Sequence, residues 1–215
     1  MDREDRIAIG AHVPRRQRPL LRRLGRAVLR SFGWRLQVTV PDVPKLVVIA
    51  APHTSNWDFV FGMAAVLALD LDVHWLGKHT LFRGIWGRPL RALGGIAVDR
   101  QAAGGVVRQS SDAFVAHEQL IIALAPEGTR SRVARWKRGF YHIATAADVP
   151  VLVAYIDYRT RTVGANLLVW PTGDWDRDMR PVFAFYDGVT PKRPADFATE
   201  PPLPAPSRAT ATARR

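Results

Sequence analysis

The stretch Leu46-Val47-Val48-Ile49-Ala50-Ala51-Pro52-His53-Thr54-Ser55-Asn56-Trp57-Asp58 decides the fold. Its first six residues are apolar without polar alternation, the pattern of a central strand covered on both faces of a parallel sheet. A polar stretch follows that strand, in which Thr54, Ser55 or Asn56 can cap a helix running from about Asp58 to Leu69. A second stretch is built the same way: the apolar Leu120 to Ala125 stops at Pro126 and passes into Glu127-Gly128-Thr129-Arg130-Ser131. Two buried strands, each ending in a short polar loop, predict two halves of one site.

Outward from these anchors, apolar strands and amphipathic stretches alternate. Strands are expected at Leu36 to Val40, Val73 to Leu76, Gly95 to Val98, Pro150 to Tyr155 and Asn166 to Trp170. Helices are expected near Leu81 to Leu93, from about Gly104 to His117, and around Arg138 to Ala147. The alternation predicts an α/β fold: a single layered domain with a mostly parallel central sheet flanked by helices, preceded by a basic amphipathic N-terminal helix. In that helix Leu20, Leu21, Leu24, Val28 and Phe32 recur at helical spacing, with Arg22, Arg26 and Arg30 on roughly the opposite face. Its apolar stripe can pack on the domain or dock on a membrane surface; the sequence leaves both open. The domains expected are residues 1–35 as the basic segment, 36–189 as the layered domain and 190–215 as a flexible Pro/Ala-rich tail, because Pro191, Pro194, Pro201, Pro202, Pro204 and Pro206 oppose regular structure.

Composition narrows the chemistry. The 215 residues suffice for one domain with a real core. There is no cysteine, which excludes disulfides, a thiolate nucleophile and cysteine-ligated metals, and is compatible with a reducing cytoplasm. The net charge is +12, and between Arg15 and Arg35 there are eight arginines and no acidic residue. Such a cluster attracts phosphodiesters and anionic lipid headgroups alike. The apolar run Phe59 to Leu69 is interrupted by Gly62 and closed by Asp70, short of the roughly 18–20 residues that span a bilayer. Met1 to Gly10 carries five charges and no apolar core, so no secretory signal is expected.

The two loops carry complementary groups. In a continuous helix His53 and Asp58 would lie about 140° apart and could not meet, so they must sit on a turn at the head of the helix. There Asp58 can fold back to the imidazole, fix its tautomer and stabilise the imidazolium formed when His53 takes a proton from a hydroxyl. The second loop offers the Glu127 carboxylate, close backbone approach at Gly128, the Thr129 hydroxyl and the Arg130 fork, which suits a phosphate. Alternatively Glu127 and Arg130 pair with each other or with the scaffold. Arg100, at the end of Gly94-Gly95-Ile96-Ala97-Val98-Asp99-Arg100, and Lys137 are candidate second anion ligands or solvated charges. His74 and His79 lack carboxylate or thiolate companions at ligand spacing, so no metal site is expected. No Ser stands in a Gly-x-Ser-x-Gly elbow, so no seryl nucleophile of that kind is expected.

With these residues in view, the chain resembles the glycerolipid acyltransferases of the 1-acylglycerol-3-phosphate acyltransferase type, the HxxxxD acyltransferases. His53-x4-Asp58 is similar to their first block, Gly95 to Arg100 to the second, Glu127-Gly128-Thr129-Arg130-Ser131 to the third and Val149-Pro150-Val151 to the fourth, in matching order over roughly residues 45 to 160. The resemblance implies that His53 is the general base and Asp58 its partner, and that Arg100, Glu127, Gly128, Thr129 and Arg130 surround a phosphate-bearing lipid acceptor, with the arginines on its phosphate. It implies an acyl thioester donor on coenzyme A or acyl carrier protein as co-substrate, no cofactor, and work at a membrane surface. A cytoplasmic protein, peripheral on the inner face of the cell membrane, is expected, with lipid acceptor and thioester donor as partners and no nucleic acid. Pro52 stands where an Asn usually precedes the His, and Ala125 where an aromatic often precedes Pro-Glu-Gly; both departures bear on the acceptor. Two other readings remain: the same chemistry on a glycolipid or another alcohol, and a non-catalytic protein that binds anionic membrane or nucleic acid through its arginines.

Overall fold

The computed structural model describes residues 5–98 and 105–199. Eight strands form one sheet in the order β1-β2-β8-β7-β3-β6-β4-β5. The strands are β1 (Arg6–Ile9), β2 (Arg35–Val40), β3 (Lys45–Ala51), β4 (Val73–Lys78), β5 (Gly95–Val98), β6 (Leu120–Leu124), β7 (Val151–Asp157) and β8 (Thr162–Val169). Every neighbouring pair is parallel except β7 and β8, which form an antiparallel hairpin. Among the described residues six α-helices accompany them: α1 (Pro19–Ser31), α2 (Asn56–Ala68), α3 (Gly87–Ala92), α4 (Gly105–Ala116), α5 (Gly139–Ala147) and α6 (Trp175–Asp187). The expected α/β layered architecture is the one observed.

The sheet separates two cores. On one face α1 and α2 bury Leu29, Phe61, Ala64, Ala65 and Ala68 against Leu46, Val38 and Ile121. On the other, Phe114 of α4, Phe140 and Ile143 of α5 and Met179 and Val182 of α6 cover Val47, Ile49, Ile122 and Val153. β3 thus sends alternate residues into both cores, as its unbroken apolar run requires.

The basic helix departs from its expected orientation. Gly25 is the point of closest approach to α2: a Cβ there would stand 2.5 Å from the Ala64 carbonyl oxygen. Seating that glycine turns Leu21, Gly25, Val28 and Leu29 inward and leaves Leu20 75% and Leu24 54% exposed, so the predicted stripe is divided between core and surface. Nor are all the arginines solvated. Arg16 donates to the carbonyls of Val73, Leu93 and Ala92 and lies 3.4 Å from Asp72, while Arg15 donates to the carbonyl of Leu69.

Other differences are local. The helix expected over Leu81 to Leu93 is cut to α3 by two 3₁₀ turns, because Gly84 takes a left-handed φ of +65°. β1 and α6 went unread in the sequence, although Asp174 caps α6, accepting from the Arg177 N–H, with Asp176 and Asp178 in its first turn. Residues 190–199, assigned to a flexible tail, fold back over the domain: Phe197 packs near the Trp136 and Tyr186 rings, Trp136 Nε1 donates to the Ala198 carbonyl, and Thr199 donates to Asp187. Their prolines exclude helix and ladder, yet fixed contacts need neither. Residues 200–215 of the expected tail lie outside the described residues. Among the described residues no helix is long and apolar enough to cross a membrane.

Candidate active site

β3 and β6 are adjacent and parallel, with Ile49 opposite Leu124, so the loops that follow them leave the same sheet edge side by side. The edge where two polar loops emerge from carboxyl ends of parallel strands is the habitual ligand site of open α/β sheets. Here the loops are bonded to each other. The backbone N–H of His53 donates to Glu127, at 2.9 Å to Oε2 and 3.2 Å to Oε1. Glu127 is only 4% exposed, and burial pushes its carboxyl up to about 8, with the nearby Asp58 charge adding to the rise and the His53 N–H opposing it.

The turn expected after Pro52 is present and more tightly built than the spacing alone conveyed. Ser55 caps α2: its hydroxyl accepts from the Trp57 N–H at 3.2 Å, and Ser55 and Asp58 complete a reciprocal capping box. Asp58, 4% exposed, accepts the N–H groups of Thr54 and Ser55 at Oδ2, both at 2.7 Å. Its Oδ1 accepts the hydroxyl of Tyr158 at 2.6 Å. Burial and the Asp58 carboxylate raise the Tyr158 phenol far above its usual range, so that hydroxyl stays a donor. The carboxylate is therefore held from three directions in one orientation, in the same turn that carries the half-buried His53.

In the second loop Gly128 takes φ +69°, a conformation costly for any residue with a side chain, and the stem of Lys137 lies 2.9 Å from where its Cβ would be. The Lys137 N–H also donates to the Pro126 carbonyl at 2.9 Å. Lys137 is thereby gathered to the loop, with Thr129 and Arg130 exposed beside it. Of the sequence-predicted residues, His53, Asp58, Glu127, Gly128, Thr129 and Arg130 share one sheet edge. Glu127 turns inward to the His53 backbone, whereas Arg130 faces solvent. Arg100 lies outside the described residues.

Three residues at this edge were not read from the sequence. Tyr158 follows β7 and carries no motif signal beyond its place just past a strand end. Lys192 and Arg193 were hidden in the supposed tail. The Arg193 N–H donates to the Thr54 hydroxyl at 3.3 Å, and the Lys192 ammonium sits 5.3 Å from the Trp57 ring centre and 5.5 Å from that of Tyr158.

A cavity of about 410 Å³ lined by Ile7, Ile9, Arg15, Arg22, Arg26 and Asp70 lies elsewhere, at the C-terminal end of α2. That end is about 20 Å along the helix from its Ser55 cap, so the cavity is separate from the motif loops. Among the described residues no group of three metal-ligating side chains comes together.

No curated protein sequence matches the chain. Among solved structures the fold is similar to the 1-acyl-sn-glycerophosphate (LPA) acyltransferase PlsC from Thermotoga maritima, with 20% identity, a TM-score of 0.55, and coverage of 76% of this chain and 73% of that one. A family model described as acyltransferase matches residues 36–157, more than half of the chain and the stretch that holds both motif loops. The chain belongs to the acyltransferase family.

Proposed function

We propose that the protein is an O-acyltransferase of phospholipid synthesis, moving a fatty acyl group from a coenzyme A or acyl-carrier-protein thioester to a hydroxyl of a phosphate-bearing lipid such as 1-acylglycerol-3-phosphate. In this reading the His53 imidazole removes the proton of the acceptor hydroxyl, and the resulting oxygen attacks the thioester carbonyl. The C–O bond forms, the C–S bond breaks, and the imidazolium returns its proton to the departing thiolate, giving an ester and a thiol. Asp58, fixed by Thr54, Ser55 and Tyr158, orients the ring and favours its charged form. Arg130, with Lys137 and Arg100, takes the acceptor phosphate, and Thr129 lies beside it.

One observation carries the reading: the bond from the His53 backbone to buried Glu127, which joins the base-bearing loop to the arginine-bearing loop. Two tethered loops can align a hydroxyl and a phosphate of one molecule, which is what transfer between bound substrates requires. The similar fold of PlsC, a 1-acyl-sn-glycerophosphate acyltransferase, favours this acceptor over a glycolipid. Only the two substrates enter the scheme, with no further cofactor. The site is proposed to work at the inner face of the cell membrane, with outward Leu20 and Leu24 and the arginines of α1 meeting an anionic lipid surface.

The test is transfer from labelled acyl-CoA and acyl-carrier protein to a panel of lysolipids. The His53→Ala variant, folded by circular dichroism, is expected to lose about a hundredfold or more in rate. Transfer at the parental rate would remove His53 from the chemistry.

A further inference from the structure

Resting on the reading just given, a transferase that works on two phosphate-bearing substrates must hold both around one base. Strand order places Arg130, the cation proposed for the acceptor phosphate, on one side. Arg130 follows β6, and in the sheet β3 lies between β6 and β7. The other flank, past the end of β7, is covered by residues 190–193. That segment is fixed in register: the Tyr158 N–H donates to the Thr190 carbonyl at 2.9 Å and the Arg193 N–H to the Thr54 hydroxyl, next in sequence to His53.

The side chains delivered there are two cations beside an aromatic surface. Lys192 is exposed, lies over the Trp57 and Tyr158 rings, and has no ion-pair partner among the described residues. Arg193 is exposed and reaches Asp196 only at 4.0 Å. Trp57 is 41% exposed although it stands in the first turn of α2, beside the Asp58 hub. A cation at the rim of an apolar ring suits a ligand whose thin, weakly polar arm ends in a phosphate.

We propose that Lys192 and Arg193, with Trp57, form the site for the phosphate of the donor's pantetheine arm, on the side of His53 away from Arg130. That phosphate ester is common to acyl-coenzyme A and acyl-carrier protein. The arrangement puts the acceptor phosphate and the donor phosphate on opposite flanks of the imidazole, so the thioester carbonyl and the hydroxyl meet at His53 without their charges sharing one cradle.

The experiment uses the full chain, with Lys192→Gln/Arg193→Gln and Lys192→Arg. Steady-state kinetics are measured with acyl-CoA and with acyl-carrier protein, and calorimetry measures binding of free coenzyme A. The double variant is expected to raise the donor KM about tenfold and weaken free coenzyme A about tenfold, with the acceptor KM held within about twofold; Lys192→Arg stays near parental. An effect with both donors assigns the shared pantetheine phosphate, and an effect with the coenzyme alone assigns its nucleotide phosphates to the same site. The proposal is overturned if donor KM and coenzyme A affinity are unchanged in a variant with parental circular dichroism, or if the acceptor KM rises instead. A parental protein that neither transfers acyl groups nor binds coenzyme A overturns the acyltransferase reading as well, which separates the two failures.

Discussion

At the scale of single residues the site is organised by two buried carboxyl groups with different duties. Asp58 is satisfied by two main-chain N–H groups and a phenol, so its charge is anchored. Glu127 is held where burial and the neighbouring Asp58 charge push its carboxyl up to about 8. A carboxyl raised in the folded state binds its proton more tightly there than in the unfolded chain, so its contribution to stability is complete below about 4.5 and is lost as pH rises through about 8. The Glu127→Gln variant, which keeps an oxygen for the His53 N–H, is expected to flatten this dependence: its melting temperature should fall less than the parental one between pH 5 and pH 8 by differential scanning calorimetry. A parallel fall in both proteins would show that Glu127 does not titrate in that window.

At the scale of elements, the strands and the two loops were legible because each has a local cause. Unbroken apolar runs mark β3 and β6, and Pro52 and Pro126 end them. The helical face of α1 was only half legible. Periodicity shows that Leu20, Leu21, Leu24 and Val28 share a side, but the rotation of a helix on its neighbour is set by the smallest residue at the crossing, here Gly25 against Ala64, and that depends on a partner the local pattern does not contain. The same limit hid Tyr158, whose role exists only because β7 lies beside β3, with Ala51 opposite Tyr155. The turned helix makes its own prediction. Leu20→Glu/Leu24→Glu should leave the melting temperature within about 2 °C, since both side chains are outward, while reducing co-sedimentation with vesicles rich in phosphatidylglycerol. Unchanged sedimentation would remove Leu20 and Leu24 from any membrane contact.

At the scale of the whole molecule, the chain closes on itself across the site edge. After α6 it passes the end of β7, touches Thr54 at Arg193, and returns to the second core, where Phe197 lies near Trp136. Proline spacing gave a sound argument against helix and sheet in this stretch and none about contact, which is why a boundary at residue 190 looked natural. A chain ended at Val189 loses the Phe197 packing, the Trp136 Nε1 bond to Ala198 and the Arg193 bond to Thr54. It is expected to melt about 5 °C or more below the parental chain in a thermal scan and to lose acyl transfer. Retention of both would mean that these contacts are incidental.

The link between the motif loops runs through the main chain of residue 53, whose N–H donates to Glu127. Removing the imidazole takes away the proposed base while leaving that main-chain bond in place. A chemically silent variant should therefore keep a cleft of native shape, retain its natural lipids through purification, and serve as bait for naming them.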